Sequence, residues 1–162
     1  MLAVALFGGW VIWSRLSELS MAPWYDLTAF APDTSPRPAY DLHTLPWKAA
    51  QPKAFDLGAG AGRLITSDDG FTYQVYAIVN TVGAKAVDIR FDLNIESGGA
   101  TVGLMQSGNW LIWASSQNVG RFFDVLSVPL GVARSMTVVI ANNNPAGESR
   151  VTLTAVDVFL RK

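Results

Sequence analysis

The chain has 162 residues, a formal net charge of −1, 50% hydrophobic and 15% charged side chains, no cysteine and one histidine. Without a basic face it has no means of holding nucleic acid or an anionic lipid surface. The missing cysteines remove disulfides, thiol nucleophiles and thiolate metal sites, and a lone His43 leaves no multi-histidine metal site.

Residues 1–20 form a first zone. Leu2 to Trp13 is an unbroken apolar run. As a helix through Leu16 it would reach only ~22 Å at 1.5 Å per residue, against a bilayer core of about 30 Å. No Lys or Arg precedes the run and no A-x-A site follows it, so it does not match a removable signal peptide. The expectation is an N-terminal hydrophobic helix associated with a membrane, as a marginal span or packed on a larger membrane protein. Leu6, Trp10 and Trp13 share one helical face and are the expected contacts with bilayer or partner.

Residues 21–53 form a second zone. Six of the eight prolines fall here, interleaved with Trp24, Tyr25, Phe30, Tyr40 and Trp47. Proline blocks regular ladders and favours extended backbone. Aromatic anchors set this stretch apart from a Gly/Ser linker. It is therefore expected to be an extended arm, lying either on its own domain or along a partner, with Trp24 and Trp47 as contacts. His43 lies in the arm without a ligand-spaced companion, which points to a hydrogen-bonding or surface role.

Residues 54–162 form a third zone with the signature of β-structure. Val87, Ile89, Phe91, Leu93 and Ile95 alternate with Asp88, Arg90, Asp92, Asn94 and Glu96. That two-residue period predicts a strand with one buried and one wet face. Ser97-Gly-Gly-Ala100 turns the chain into a strand over 101–106. Ser107-Gly-Asn109 turns it again into 110–115. Further strands are predicted near 62–67, 72–82, 120–129, 135–142 and 149–161. Breakers such as Asp68-Asp-Gly70 and the Asn142 to Gly147 run separate them. The last strand is apolar at Val151 and Leu153, then at Val156, Val158 and Leu160, a phase shift that predicts a bulge near Ala155. Short strands with turns every 8–12 residues mean a two-sheet sandwich.

Little here could carry a reaction. No phosphate loop, His-Glu-x-x-His or G-x-S-x-G is present. The glycines of Gly58-Ala-Gly-Ala-Gly62 lack a strand–helix context. Carboxylates on the polar face of residues 88–96 have no fixed pairing of the kind glycoside hydrolysis requires. No catalytic, cofactor or metal residue is assigned, and the chain is expected not to be an enzyme. The Asp68-Asp69-Gly70 turn could hold calcium, but its composition is that of an ordinary turn. Trp110 and Trp113 could form a ligand face with Asn109, Gln117 and Asn118. On an ideal strand, however, 110 and 113 point to opposite faces, so one would be core.

Three stretches resemble the jelly-roll sandwiches of carbohydrate-binding modules and galactose-binding-like domains. One is Asp88 to Glu96 running through Gly-Gly into Thr101-Val-Gly-Leu-Met105. Another is Asn109-Trp-Leu-Ile-Trp113 followed by Phe122-Phe-Asp-Val-Leu126. The third is Val138 to Asn142, a polar turn, and Val151 to Leu160. The resemblance covers about 100 residues and implies an all-β, antiparallel, jelly-roll-like sandwich preceded by the helix and the arm. Two functions follow. The first is a non-catalytic accessory subunit of a bacterial membrane complex, respiratory or photosynthetic, attached through residues 1–20 and the arm. The second, implied by the resemblance, is a membrane-tethered carbohydrate-binding module with Trp110, Asn109 and Gln117 as its ligand face. The sparse charge favours a periplasmic or other extracytoplasmic sandwich in either case.

Overall fold

A computed structural model describes residues 37–131 and 134–162 of the chain. The expected N-terminal helix, the start of the arm, and Leu6, Trp10, Trp13 and Trp24 lie outside the described residues. Among the described residues no helix is long and apolar enough to cross a membrane. Among the described residues ten strands follow one another: β1 Trp47–Ala49, β2 Ala54–Leu57, β3 Gly62–Ile65, β4 Tyr73–Asn80, β5 Ala86–Ser97, β6 Ala100–Gln106, β7 Asn109–Ser116, β8 Gly120–Pro129, β9 Ser135–Asn142 and β10 Arg150–Arg161. They build two five-stranded sheets, ordered β1-β4-β9-β6-β7 and β2-β3-β10-β5-β8. Every strand pairing is antiparallel. The expected all-β sandwich is the observed one.

Alternation explains the layers. Val87, Ile89, Phe91, Leu93 and Ile95 on β5 are completely buried. They join Val75 and Val79 of β4, Val102 and Leu104 of β6, and Met136, Val138 and Ile140 of β9 in one core. Phe91 packs edge-on against Phe122 of β8, with ring centroids 5.0 Å apart. On β10 the pairing with β5 slips between Leu153 and Ala155. This bulge keeps Val151, Leu153, Val156 and Val158 all inward despite the phase change in the sequence.

The sandwich begins earlier than residue 54. One compact unit runs from Pro36 to Lys162. Tyr40 bridges Val158 of β10 in the second sheet. Asp41 then turns the chain, its carboxylate accepting from the backbone of His43 at 3.0 Å and Thr44 at 2.8 Å and from the Thr44 hydroxyl at 2.9 Å. Those contacts hold the Asp41 carboxyl below its ordinary value, the Thr44 backbone bond contributing most. Leu42 and Leu45 drop into the core, and β1 pairs with β4 of the first sheet. Over residues 40–49, then, the expected arm runs from one sheet to the other and closes one side of the sandwich.

Charge divides between the sheets. In the first, Lys48 is the only charged residue of all five strands. The second carries a lattice of ion pairs on its outer face. Arg121 grips Asp92 with two bonds of 2.9 and 2.7 Å. The Arg90 Nε donates to Asp157 at 3.1 Å. The Arg161 Nε approaches Asp88 at 2.9 Å. The Arg121 bonds pull the Asp92 carboxyl below its ordinary value. The face expected to be wet is thus partly dry: Asp88 and Asp157 are buried under their arginine partners.

Phe91→Ala is expected to lower unfolding stability by roughly 3–5 kcal/mol, as for other buried Phe truncations, measured by urea denaturation. A loss below about 1 kcal/mol would mean the faces of β5 are inverted. A fragment of residues 54–162 is expected to be less stable than one of 36–162 by at least about 3 kcal/mol, because it exposes the pockets of Leu42 and Leu45. Calorimetry of the two fragments checks this.

Candidate functional site

The outer face of the first sheet, whose strands carry a single charge at Lys48 on the far edge, holds the site. Cross-strand rows set its floor. Tyr76, Val139, Gly103 and Trp113 lie in one row, and Tyr73, Ala141, Thr101 and Ser115 in another. Small side chains at Gly103, Ala141, Thr101 and Ser115 leave the floor low, and the aromatics stand around it.

A bulge brings the two tryptophans together. Leu104 pairs with Ile112, but the next residue, Met105, pairs with Trp110, so Leu111 is the extra residue of β7. Ile112 and Ala114 pack against the core. Trp110 is shifted onto the same outer face as Trp113, and their ring centroids lie 6.1 Å apart, inclined at 55°. The expectation that one of them is core is corrected here: Trp113 is 57% exposed and Trp110 half-buried. Gly103 makes the arrangement possible. A Cβ at that position would come within 2.7 Å of the Trp110 ring and 2.8 Å of the Trp113 Cβ. Tyr73 completes the cluster edge-on to Trp110, at 5.6 Å.

Phe71 supplies another aromatic ring of the cleft. It is 65% exposed and holds a left-handed backbone, φ 64°. For a bulky side chain such a conformation costs about 1–3 kcal/mol and persists only where its surroundings impose it. They do. The Phe71 N–H donates to the Asn142 carbonyl at 2.9 Å, and the Asn142 N–H donates to the Thr72 carbonyl at 2.9 Å. Beneath lies a buried polar knot. The Asn142 amide nitrogen donates to the carbonyls of Ser67 at 3.1 Å, Asp69 at 3.2 Å and Gly147 at 2.9 Å. Its oxygen accepts from the Ser149 hydroxyl at 2.7 Å and the Asn144 N–H at 3.1 Å. Gln74, wholly buried, accepts from the Ser67 N–H at 2.8 Å and donates to the Thr72 hydroxyl at 2.7 Å.

Between these walls runs a cleft of about 330 Å³, lined by Phe71, Thr101, Trp110, Trp113, Ser115, Ala141, Asn142 and Asn143. Thr101 and Ser115 share a hydrogen bond of 2.7 Å on the floor. Each hydroxyl offers one proton and two lone pairs, so the pair keeps a donor and acceptors to spare. The Asn143 backbone N–H is committed to Gly99, at 3.1 Å. None of the lining residues carries a carboxylate, an imidazole or a cation.

Other expected site residues lie elsewhere. Asn109 opens β7, just after the Ser107–Gly108 turn, its amide 3.4 Å from the Ser107 carbonyl. Gln117 lies beside Gly99. Neither lines the cleft. Trp47 packs edge-on against Phe55 at 6.0 Å and donates its Nε1 to the Leu42 carbonyl at 2.8 Å, so its ring serves the fold. Asp68 pairs with Lys53 at 2.6 Å; with Glu148 it raises the Lys53 ammonium above its ordinary value, Asp68 first. Among the described residues no group of three His, Cys, Asp or Glu side chains is placed to hold a metal ion.

No protein-family model and no curated protein matches the sequence. Solved structures do. The carbohydrate-binding module CBM4 superposes with a TM-score of 0.55 at 11% identity, over 80% of this chain and 92% of that one. The module CBM6cm-2 of Cellvibrio mixtus lichenase 5A, solved with cellotriose, gives 0.44 at 10% identity, over 70% of this chain and 92% of its own. A CBM61 module solved with β-1,4-galactotriose gives 0.45 at 12% identity, over 72% and 89%. At these identities what is shared is the fold, and it is carried by the first of them: the jelly-roll-like sandwich of carbohydrate-binding modules.

Asn142→Leu keeps the branched shape but removes the side-chain amide, which strands the carbonyls of Ser67, Asp69 and Gly147, the Asn144 N–H and the Ser149 hydroxyl. A buried group left unpaired costs about 1–3 kcal/mol, and several are stranded at once. The variant is expected to lose at least about 3 kcal/mol of stability in denaturant titration.

Proposed function

We propose that residues 36–162 are a non-catalytic carbohydrate-binding module whose ligand lies in the cleft between Trp113 and Phe71. The aromatic arrangement over Gly103 carries this reading. A pyranose presents C–H faces that pack on aromatic rings, and its rim of hydroxyls requires donors and acceptors at the edge. Trp110, Trp113 and Phe71 provide the first, and Thr101, Ser115 and Asn143 the second. Sharing a fold with carbohydrate-binding modules supports the reading without deciding it. The absence of any acid or base from the lining supports binding without turnover, since glycoside hydrolysis uses two carboxylates.

The accessory-subunit reading draws on residues 1–20 and on the arm. The part of the arm that is described, including Trp47, packs on its own sandwich, which favours the binding module. Residues 1–20 keep a place as its tether to a membrane, with the module on the extracytoplasmic side. Deleting them is expected to release the protein from membrane fractions with glycan binding unchanged. A truncated chain that still pellets with membranes contradicts the tether.

Trp113→Ala is expected to weaken binding to a retained polysaccharide at least about tenfold, or 1.4 kcal/mol, with the thermal midpoint nearly unchanged because the ring is exposed. Affinity electrophoresis with a calorimetric control measures both. Unaltered retention would place the ligand elsewhere.

A further inference from the structure

We propose that the cleft selects a neutral, soluble, single-stranded glycan and rejects both uronic-acid polymers and crystalline polysaccharide surfaces. The proposal rests on the carbohydrate-binding reading above and concerns its ligand class.

Charge argues the first half. A carboxylate brought into a cleft must leave water, and it does so only where a cation or several donors replace its hydration. No lining residue is cationic. Lys48 is the single charged residue in the five strands beneath the site. It shares a row with Trp113 but at the opposite edge, four strand spacings or about 19 Å away, beyond a Debye length at physiological salt. The loop that carries Phe71 holds Asp69, which is exposed and would repel an anion. Arg90, Arg121 and Arg161 lie instead on the other sheet, where Asp157, Asp92 and Asp88 pair with them.

Ring geometry argues the second half. A crystalline polysaccharide offers a flat surface and is matched by coplanar rings. Trp110 and Trp113 are inclined at 55° and Trp110 and Tyr73 at 75°, so the three rings do not form one flat platform. Phe71 rises beside them on a backbone fixed by the Asn142 carbonyl. A single strand can turn between such walls, whereas a crystal face cannot enter. The cleft, about 330 Å³, is at the small end of ligand pockets (about 300–1,000 Å³), which suits a short stretch of a strand or its end.

The full chain is tested by affinity electrophoresis on xyloglucan, galactomannan, hydroxyethylcellulose and soluble β-1,3-glucan, against polygalacturonate and alginate, with a pull-down on microcrystalline cellulose. Expected is retention by at least one neutral soluble glycan, at least tenfold stronger than by either uronic polymer, and no depletion by the crystalline solid. Ser115→Lys, which places a cation on the cleft floor, is expected to raise retention by polygalacturonate several-fold. Trp113-dependent retention by a uronic polymer, or Trp113-dependent depletion by microcrystalline cellulose, overturns the selectivity while leaving the binding module intact. No retention by any glycan overturns both.

Discussion

The side chain of Asn142 is the interaction on which the site depends. Its amide lies buried at the end of β9 and ties three chain segments, residues 67–69, 144–149 and its own strand, into one polar knot. Inside a low-dielectric core a network of this kind is stabilising when every member is paired and costly when one is not. Among the described residues no buried side-chain nitrogen or oxygen lacks a partner. The knot thus holds the 68–72 loop in one conformation. That conformation includes the strained backbone of Phe71, whose N–H is fixed by the carbonyl of the same Asn142. A wall of the cleft is in this way preorganised by the core, which spares a ligand the cost of ordering it.

The second constraint is the division of charge. A sandwich needs each sheet to be apolar on its inner face only, and the outer faces are free to differ. Here one outer face is a mesh of arginine–aspartate pairs, and Arg90 and Arg121 also lie over Phe159 and Phe123. The other exposes tryptophan and phenylalanine above hydroxyls and amides. A face of this kind, open to water and with Lys48 as the single charge of its strands, is unusual for a solvated sheet and fits a ligand that is itself neutral and amphipathic.

Much of this was legible in the sequence. The strict alternation from Val87 to Glu96 set β5 and its buried face, and the phase change at Ala155 located the β10 bulge. Both are local patterns. The strands Trp47–Ala49 and Ala54–Leu57 were not legible, because three or four residues among prolines carry no period. The tryptophan pair was misread for a different reason. Its bulge is created by the pairing of β6 with β7 at Leu104 and Met105, and a strand read alone does not show its partner's register. Phe71 announced itself only as the residue after Asp-Asp-Gly. Its left-handed backbone comes from a hydrogen bond across to Asn142, distant in sequence. The uncharged run of β6 and β7 was open to inspection, and it becomes a signal once both are known to share a face with β9.

The most direct test of the account is a two-dimensional amide NMR titration of the sandwich with a neutral soluble oligosaccharide. The account predicts shifts at Phe71, Thr101, Trp113, Ser115 and Asn143 and none at Arg90, Asp92, Arg121 or Asp157. Shifts confined to the charged sheet, with the cleft amides unmoved, would contradict it.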